Sequence, residues 1–218
     1  MRVSVVPAVV RLMEARRALK AALRDLRERR YGDYTIQVCR ANERILLAAV
    51  SAVLRADVRH PGVFIALAGE IWDPEGCGRG YTIEAVKRMS AKVMSDFLWD
   101  HVNGLTEREP TDAERRIATD ALASFDVIRG LRGIRNSHLH WTDPGPEDLR
   151  GALERWASNF REFHGDLEGW KENWKDKTGV EPGFPEPPFP TSDPRDIVRA
   201  LSECVDDVRR TLAGGSED

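Results

Sequence analysis

Apolar residues recur along this chain at three- and four-residue intervals, and nowhere do they alternate convincingly with period two. That spacing turns one face of a helix toward a core. Between residues 5 and 30, Leu12, Leu19, Leu23 and Leu26 share a face, with charged residues between them. A second helical run follows Gly32-Asp33 through Ile36, Leu46, Leu47, Val50 and Val53 to residue 56. Residues 60–72 form a short apolar segment with Pro61 near its start. The glycines and proline of 73–80 predict a loop, and 82–102 is helical again. Thr111 and Glu114 have the spacing of a capping box. The helix they open carries Ile117, Ala121, Phe125, Ile128, Leu131 and Ile134.

Asp143-Pro-Gly-Pro146 breaks the pattern, and Pro146, Glu147 and Asp148 suit the first turn of a new helix. Its stripe is Trp156, Phe160, Phe163, Leu167, Trp170 and Trp174, read as core or dimer interface, with Gly165 and Gly169 marking a kink or break. Residues 179–194 hold six of the twelve prolines and predict an extended strap pinned by Phe184 and Phe189. A last amphipathic helix begins near Pro194 and includes Ile197, Val198, Leu201, Val205 and Val208. The expected architecture is all-α: a bundle over 1–145, with C-terminal helices and a Pro-rich strap over 146–218 packing on it.

Charge changes this picture little. The net charge is −3, so any nucleic-acid surface must be local. Residues 11–30 concentrate eight Lys/Arg against three acids, a steering surface for RNA or an ordinary solvated face. Cys39, Cys77 and Cys204 lie far apart, which fits a reducing cytoplasmic setting better than a disulfide framework. No apolar run is long enough for a membrane span, so no membrane partner is expected.

The candidate chemistry lies in Arg-Gly-Ile-Arg-Asn-Ser-His-Leu-His, residues 132–140. Histidine titrates near neutral pH and suits proton transfer; arginine is a permanent phosphate clamp. On a straight helix, positions 135 and 140 lie about 140° apart. Asn136, Ser137 and His138 are weak helix formers, so a helix that ends or kinks at 136–138 would let Arg135, Asn136 and His140 converge. Arg129 and Arg132 continue a basic series beside the motif and are candidate RNA contacts. Gly130 and Gly133 permit close approach of a partner helix or an RNA backbone.

Arg135-Asn136-Ser-His-Leu-His140 resembles the Arg-Asn-x-x-x-His form of the HEPN superfamily signature. The resemblance covers residues 1–145. Glu84-Ala-Val-Lys87-Arg88 departs by one residue from an upstream motif of some members, and that equivalence is not carried over. What the resemblance implies is a metal-independent endoribonuclease of the toxin–antitoxin, abortive-infection or antiviral-defence kind. It would act on RNA as a homodimer without cofactor, held in check by an antitoxin or regulatory partner. Arg135, Asn136 and His140 would be catalytic, with His138 supporting. Some members are instead inactive binding modules, so a non-catalytic module for a nucleotide or partner protein stays open. A plain helix terminus, with His and Arg complementing the dipole, also stays open. A metal site at His138-x-His140 with Asp143 has no further ligands in the sequence, and no metal is expected.

Overall fold

A computed structural model describes residues 6–59, 61–73, 90–140 and 143–214, leaving the side chains of Pro61, Ser90, Ser137, Leu139 and His140 outside that description. Part of the 73–80 loop, the start of the 82–102 helix, and Cys77, Glu84, Lys87 and Arg88 also lie outside it. The described residues form helices and connecting turns, with no strand among them. The helices are α1 (Val6–Arg27), α2 (Tyr31–Val53), α3 (Pro61–Ala68), α4 (Ser90–Val102), α5 (Asp112–His140), α6 (Pro146–His164), α7 (Leu167–Thr178) and α8 (Pro194–Gly214). None is long and apolar enough to cross a membrane.

α1 and α2 form a hairpin. α1 buries Ala8, Leu12, Ala15, Leu19 and Ala22, and the alanines let α2 come close with its own Ala41, Ala48 and Ala49. The hairpin turns at Arg29, which has φ of 59°. The Arg29 and Arg30 amides donate to Leu26 and Asp25, a Schellman ending built without glycine. Gly104 closes α4 with the same pair of bonds, at no steric cost.

α5 is the spine, packing against α2, α4, α6, α7 and α8. The expected capping box starts it. The Thr111 amide donates to Glu114 Oε2 at 3.0 Å, and the Glu114 amide donates to Thr111 Oγ1 at 3.2 Å. The expected end or kink at 136–138 is absent. α5 continues as regular helix to His140, so local weakness at Asn136-Ser-His138 is overridden by its setting.

The aromatic stripe does break where glycine allows it. Gly165, with φ of 74°, ends α6, and the Asp166 carboxylate accepts from the Gly169 amide to start α7. Trp156, Phe160 and Trp170 are buried, whereas Phe163 is 74% exposed. Trp170 packs against Phe160, Phe184 and Phe189 instead, while Phe163 stays on the surface. The strap is pinned as expected: Phe189 stacks edge-on against Trp156 and Phe160, and Phe184 against Trp170. Among the described residues one core joins Leu12, Ile45, Val127 and Leu131 with Leu153, Phe184, Leu201 and Val208.

Candidate functional site

Because α5 is unbroken, its register fixes what each motif residue meets. Positions 129 and 135 lie about 120° apart around the axis, so the arginine series winds across the helix rather than forming one stripe. Arg129 faces α6. Arg132 is exposed and places its guanidinium 4.9 Å from the centre of the Phe125 ring. Arg135 faces α2, with Nη2 3.2 Å from Glu43 Oε1. Both partners of that pair are about one-third exposed, so solvent screens it and its stabilising effect is small. Cys39 lies one helical turn before Glu43; burial pushes its thiol up to about 11 while the Arg135 charge pulls weakly the other way.

His138 faces α2 as well. Its ring covers Gly32 so closely that a Cβ added there would lie 2.4 Å from Cε1 and Nε2. Its Nδ1 lies 3.5 Å from Asp143 Oδ1. The ring is thus a packing element between the end of α5 and the start of α2. Asn136 is exposed. Position 140 is the last residue of α5, and its side chain is outside the described residues. Within one chain the unbroken helix keeps positions 135 and 140 about 140° apart, contrary to the convergence expected of a break. Among the described residues, no three His, Cys, Asp or Glu side chains gather as a metal site.

Part of the basic cluster of residues 11–30 is engaged in ion pairs within the protein. Arg11 pairs with Glu14 and Asp57, Arg16 with Asp206, and Arg30 with Asp25 and Glu28. Tyr34 is buried and donates to the Pro194 carbonyl at 2.8 Å, a core role, while Tyr31 is partly buried.

A concavity lies on the other face of α5, against α6. It encloses about 290 Å³ and is lined by Arg129, Gly130, Gly133, Arg155, Asn159, Phe163 and His164, among others. The two glycines do different things here. A Cβ on Gly130 would sit 2.7 Å from Trp156 Cβ, so Gly130 lets α6 pack closely. A Cβ on Gly133 would meet nothing within 4 Å, so that position leaves the groove open. Asp126 lines the same groove, but its Oδ2 accepts from both Trp170 and Trp174 Nε1 at 3.2 Å. Burial pulls the His164 pKa down, and the positive charges of Lys177 and Arg129 add to that, against Asp126.

Arg155, Asn159, Phe163 and His164 were not legible as a site. The spacing 155, 159, 163 is a strip at intervals of four, and that was the available signal. Compared with family models, with curated proteins and with solved structures, the chain finds no match.

Proposed function

We propose that this chain is a HEPN-like, metal-independent endoribonuclease that serves as a toxin or antiviral-defence effector in the cytoplasm. The observation that supports this is the placement of Arg135-Asn136-x-x-x-His140 at the end of the longest helix of an all-α bundle. There Asn136 is exposed and, among the described residues, Arg135 pairs with Glu43 in a screened contact that an incoming phosphate can replace. Helix register keeps positions 135 and 140 of one chain apart, so a complete site draws on a second copy, with two motifs facing one cleft. One His140 takes the proton of the RNA 2′-hydroxyl. That oxygen then bonds to phosphorus, the bond from phosphorus to the 5′-oxygen breaks, and the other His140 gives the leaving oxygen its proton. Arg135 and Asn136 hold the phosphate charge. The products are a 2′,3′-cyclic phosphate and a 5′-hydroxyl.

The test is a denaturing gel of labelled structured RNA with the purified chain in excess EDTA. Cleavage is expected from the parent, with losses of about 10²–10⁴-fold in His140→Ala and Arg135→Ala. Undiminished cutting by His140→Ala overturns the assignment. A second reading, a non-enzymatic module for a nucleotide or partner protein, draws on the Arg135–Glu43 pair, which gives Arg135 a structural use without catalysis. Expression in cells separates the two. An effector is toxic and relieved by His140→Ala; a module is harmless.

A further inference from the structure

We propose that the α5–α6 groove is a subsite for one nucleotide unit of single-stranded RNA, with Arg129 and Arg155 taking a phosphate and Phe163 stacking an unpaired base. The inference deepens the ribonuclease reading and rests on its choice of RNA as substrate.

The groove has the parts such a unit needs. Arg129 and Arg155 both line it, both are exposed, and neither pairs with a carboxylate among the described residues. Two guanidiniums without a protein counter-ion at one cavity call for an anion, and the planar fork matches phosphate. The one carboxylate in the lining, Asp126, is engaged by two indole N–H donors, which offset its charge.

An anion alone would not explain Phe163. It is the most exposed large apolar side chain among the described residues, and it sits on the rim of the same cavity. An exposed ring beside cationic groups is the platform on which single-stranded bases stack without sequence preference. The Asn159 amide and the His164 imidazole add polar groups able to meet a base edge. The Asn173 amide donates to His164 Nδ1 at 3.1 Å, which leaves the proton on Nε2. A volume of about 290 Å³ is on the scale of one such unit.

The groove also points along the right path. Positions 129, 133, 136 and 140 succeed one another at steps of four, three and four, so the unbroken backbone of α5 carries them on one strip. Position 140 lies roughly 10 Å along the axis from Gly133. A strand seated in the groove therefore runs along α5 toward the end of the motif, on the side away from Arg135 and Glu43.

The experiment measures anisotropy of a short fluorescein-labelled oligouridylate, on the full chain carrying His140→Ala so that nothing is cut. Phe163→Ala is expected to weaken binding about tenfold, from the loss of one stacked base. Arg129→Gln with Arg155→Gln is expected to weaken binding as well. It should also flatten the salt dependence by about 0.7 in logarithmic slope, the share of one phosphate of a single strand. These side chains are exposed, so all variants should melt with the parent, and Arg129→Lys with Arg155→Lys should retain most of the salt slope. Unchanged affinity and slope in the glutamine and alanine variants overturn the subsite. So does uridine monophosphate binding as tightly as the oligonucleotide, which would make the groove a free-nucleotide pocket, and so does a parent that binds no RNA. The two readings fail separately. Groove-dependent binding without cleavage by the wild-type chain keeps the subsite and removes the nuclease. Cleavage that depends on His140 but not on the groove does the reverse.

Discussion

Arg135 and Glu43 join the motif-bearing helix to α2, with Nη2 and Oε1 3.2 Å apart. If Arg135 serves a phosphate, Glu43 is its competitor in the empty protein. Glu43→Gln removes the competing charge and keeps the shape. The stability change should stay within about 1 kcal/mol, because both groups are partly in solvent. RNA cleavage should rise a few-fold, chiefly through tighter binding. Thermal melts together with cleavage rates at several RNA concentrations check both parts. A fall in activity as large as that of Arg135→Ala would mean that Glu43 positions the arginine rather than competing with the substrate.

His138 and Gly32 give a sharper steric prediction. Alanine is ordinarily better than glycine in a helix by about 1 kcal/mol. At position 32 the sign should reverse, because the added Cβ would lie 2.4 Å from the imidazole. Gly32→Ala should cost roughly 1–3 kcal/mol, the usual range for overpacking. In His138→Ala the same change should be neutral or stabilising. Urea unfolding of the two single variants and the double variant completes the cycle. Additive effects would mean that the ring has another place to go.

These two pairs mark where sequence reading stopped. The capping box at Thr111–Glu114, the break at Gly165 and the anchoring by Phe184 and Phe189 were all legible, because each depends on neighbours in the chain or on a large apolar side chain with nowhere else to go. The course of α5 past Asn136 was not. Asn136-Ser-His138 favours an ending locally, but the seat of His138 on Gly32 packs the end of the helix against α2, about a hundred residues earlier in the chain. The groove was missed for a related reason. Phe163 fits the spacing of the core stripe, but α6 ends two residues later at Gly165 and the ring stays on the surface, whereas Trp170 of the next helix takes the core place beside Phe160.

Glu114 ties acid stability to the start of α5. Burial alone would push its carboxyl up. The Thr111 amide and the Arg108 guanidinium, whose Nη1 donates to both carboxylate oxygens, with His101 nearby, outweigh that and hold it down to about 2. The His101 Nε2 lies 3.7 Å away, longer than a hydrogen bond, so the amide and Arg108 carry most of the effect. A depressed carboxyl contributes stability that is present above its unfolded value near 4.5 and lost as pH falls toward 2. The parent should therefore lose roughly 3 kcal/mol from this group between those pH values, at about 1.4 kcal/mol per unit. Glu114→Gln should be much less stable than the parent at pH 7, with the gap narrowing as pH falls toward 2. Urea melts across that range check it, and a constant gap would exclude the carboxylate charge as the cause.

Asp120 should behave in the opposite sense. Its side chain is fully buried in α5, where Oδ1 accepts the Gly183 amide of the strap at 2.8 Å and Oδ2 has no hydrogen-bond partner. Burial raises its pKa from 3.8 to about 7, and the nearby Asp207 adds to that against the Gly183 bond and the Arg116 and Arg210 charges. The folded protein then holds a proton that the unfolded chain has released. Stability from this group falls as pH rises from about 4 to about 7, and the penalty is complete above that. Asp120→Asn keeps the acceptor for Gly183 and removes the ionisation. Its gain over the parent should approach zero at pH 4 and grow toward pH 8, to at most roughly 4 kcal/mol at about 1.4 kcal/mol per unit. Asp207 is also raised by burial despite its pair with Arg210, so the same melts with Asp207→Asn show how far the two carboxyls titrate together. A gain in Asp120→Asn that is equal at pH 4 and pH 8 would show that the carboxylate is not the group being relieved.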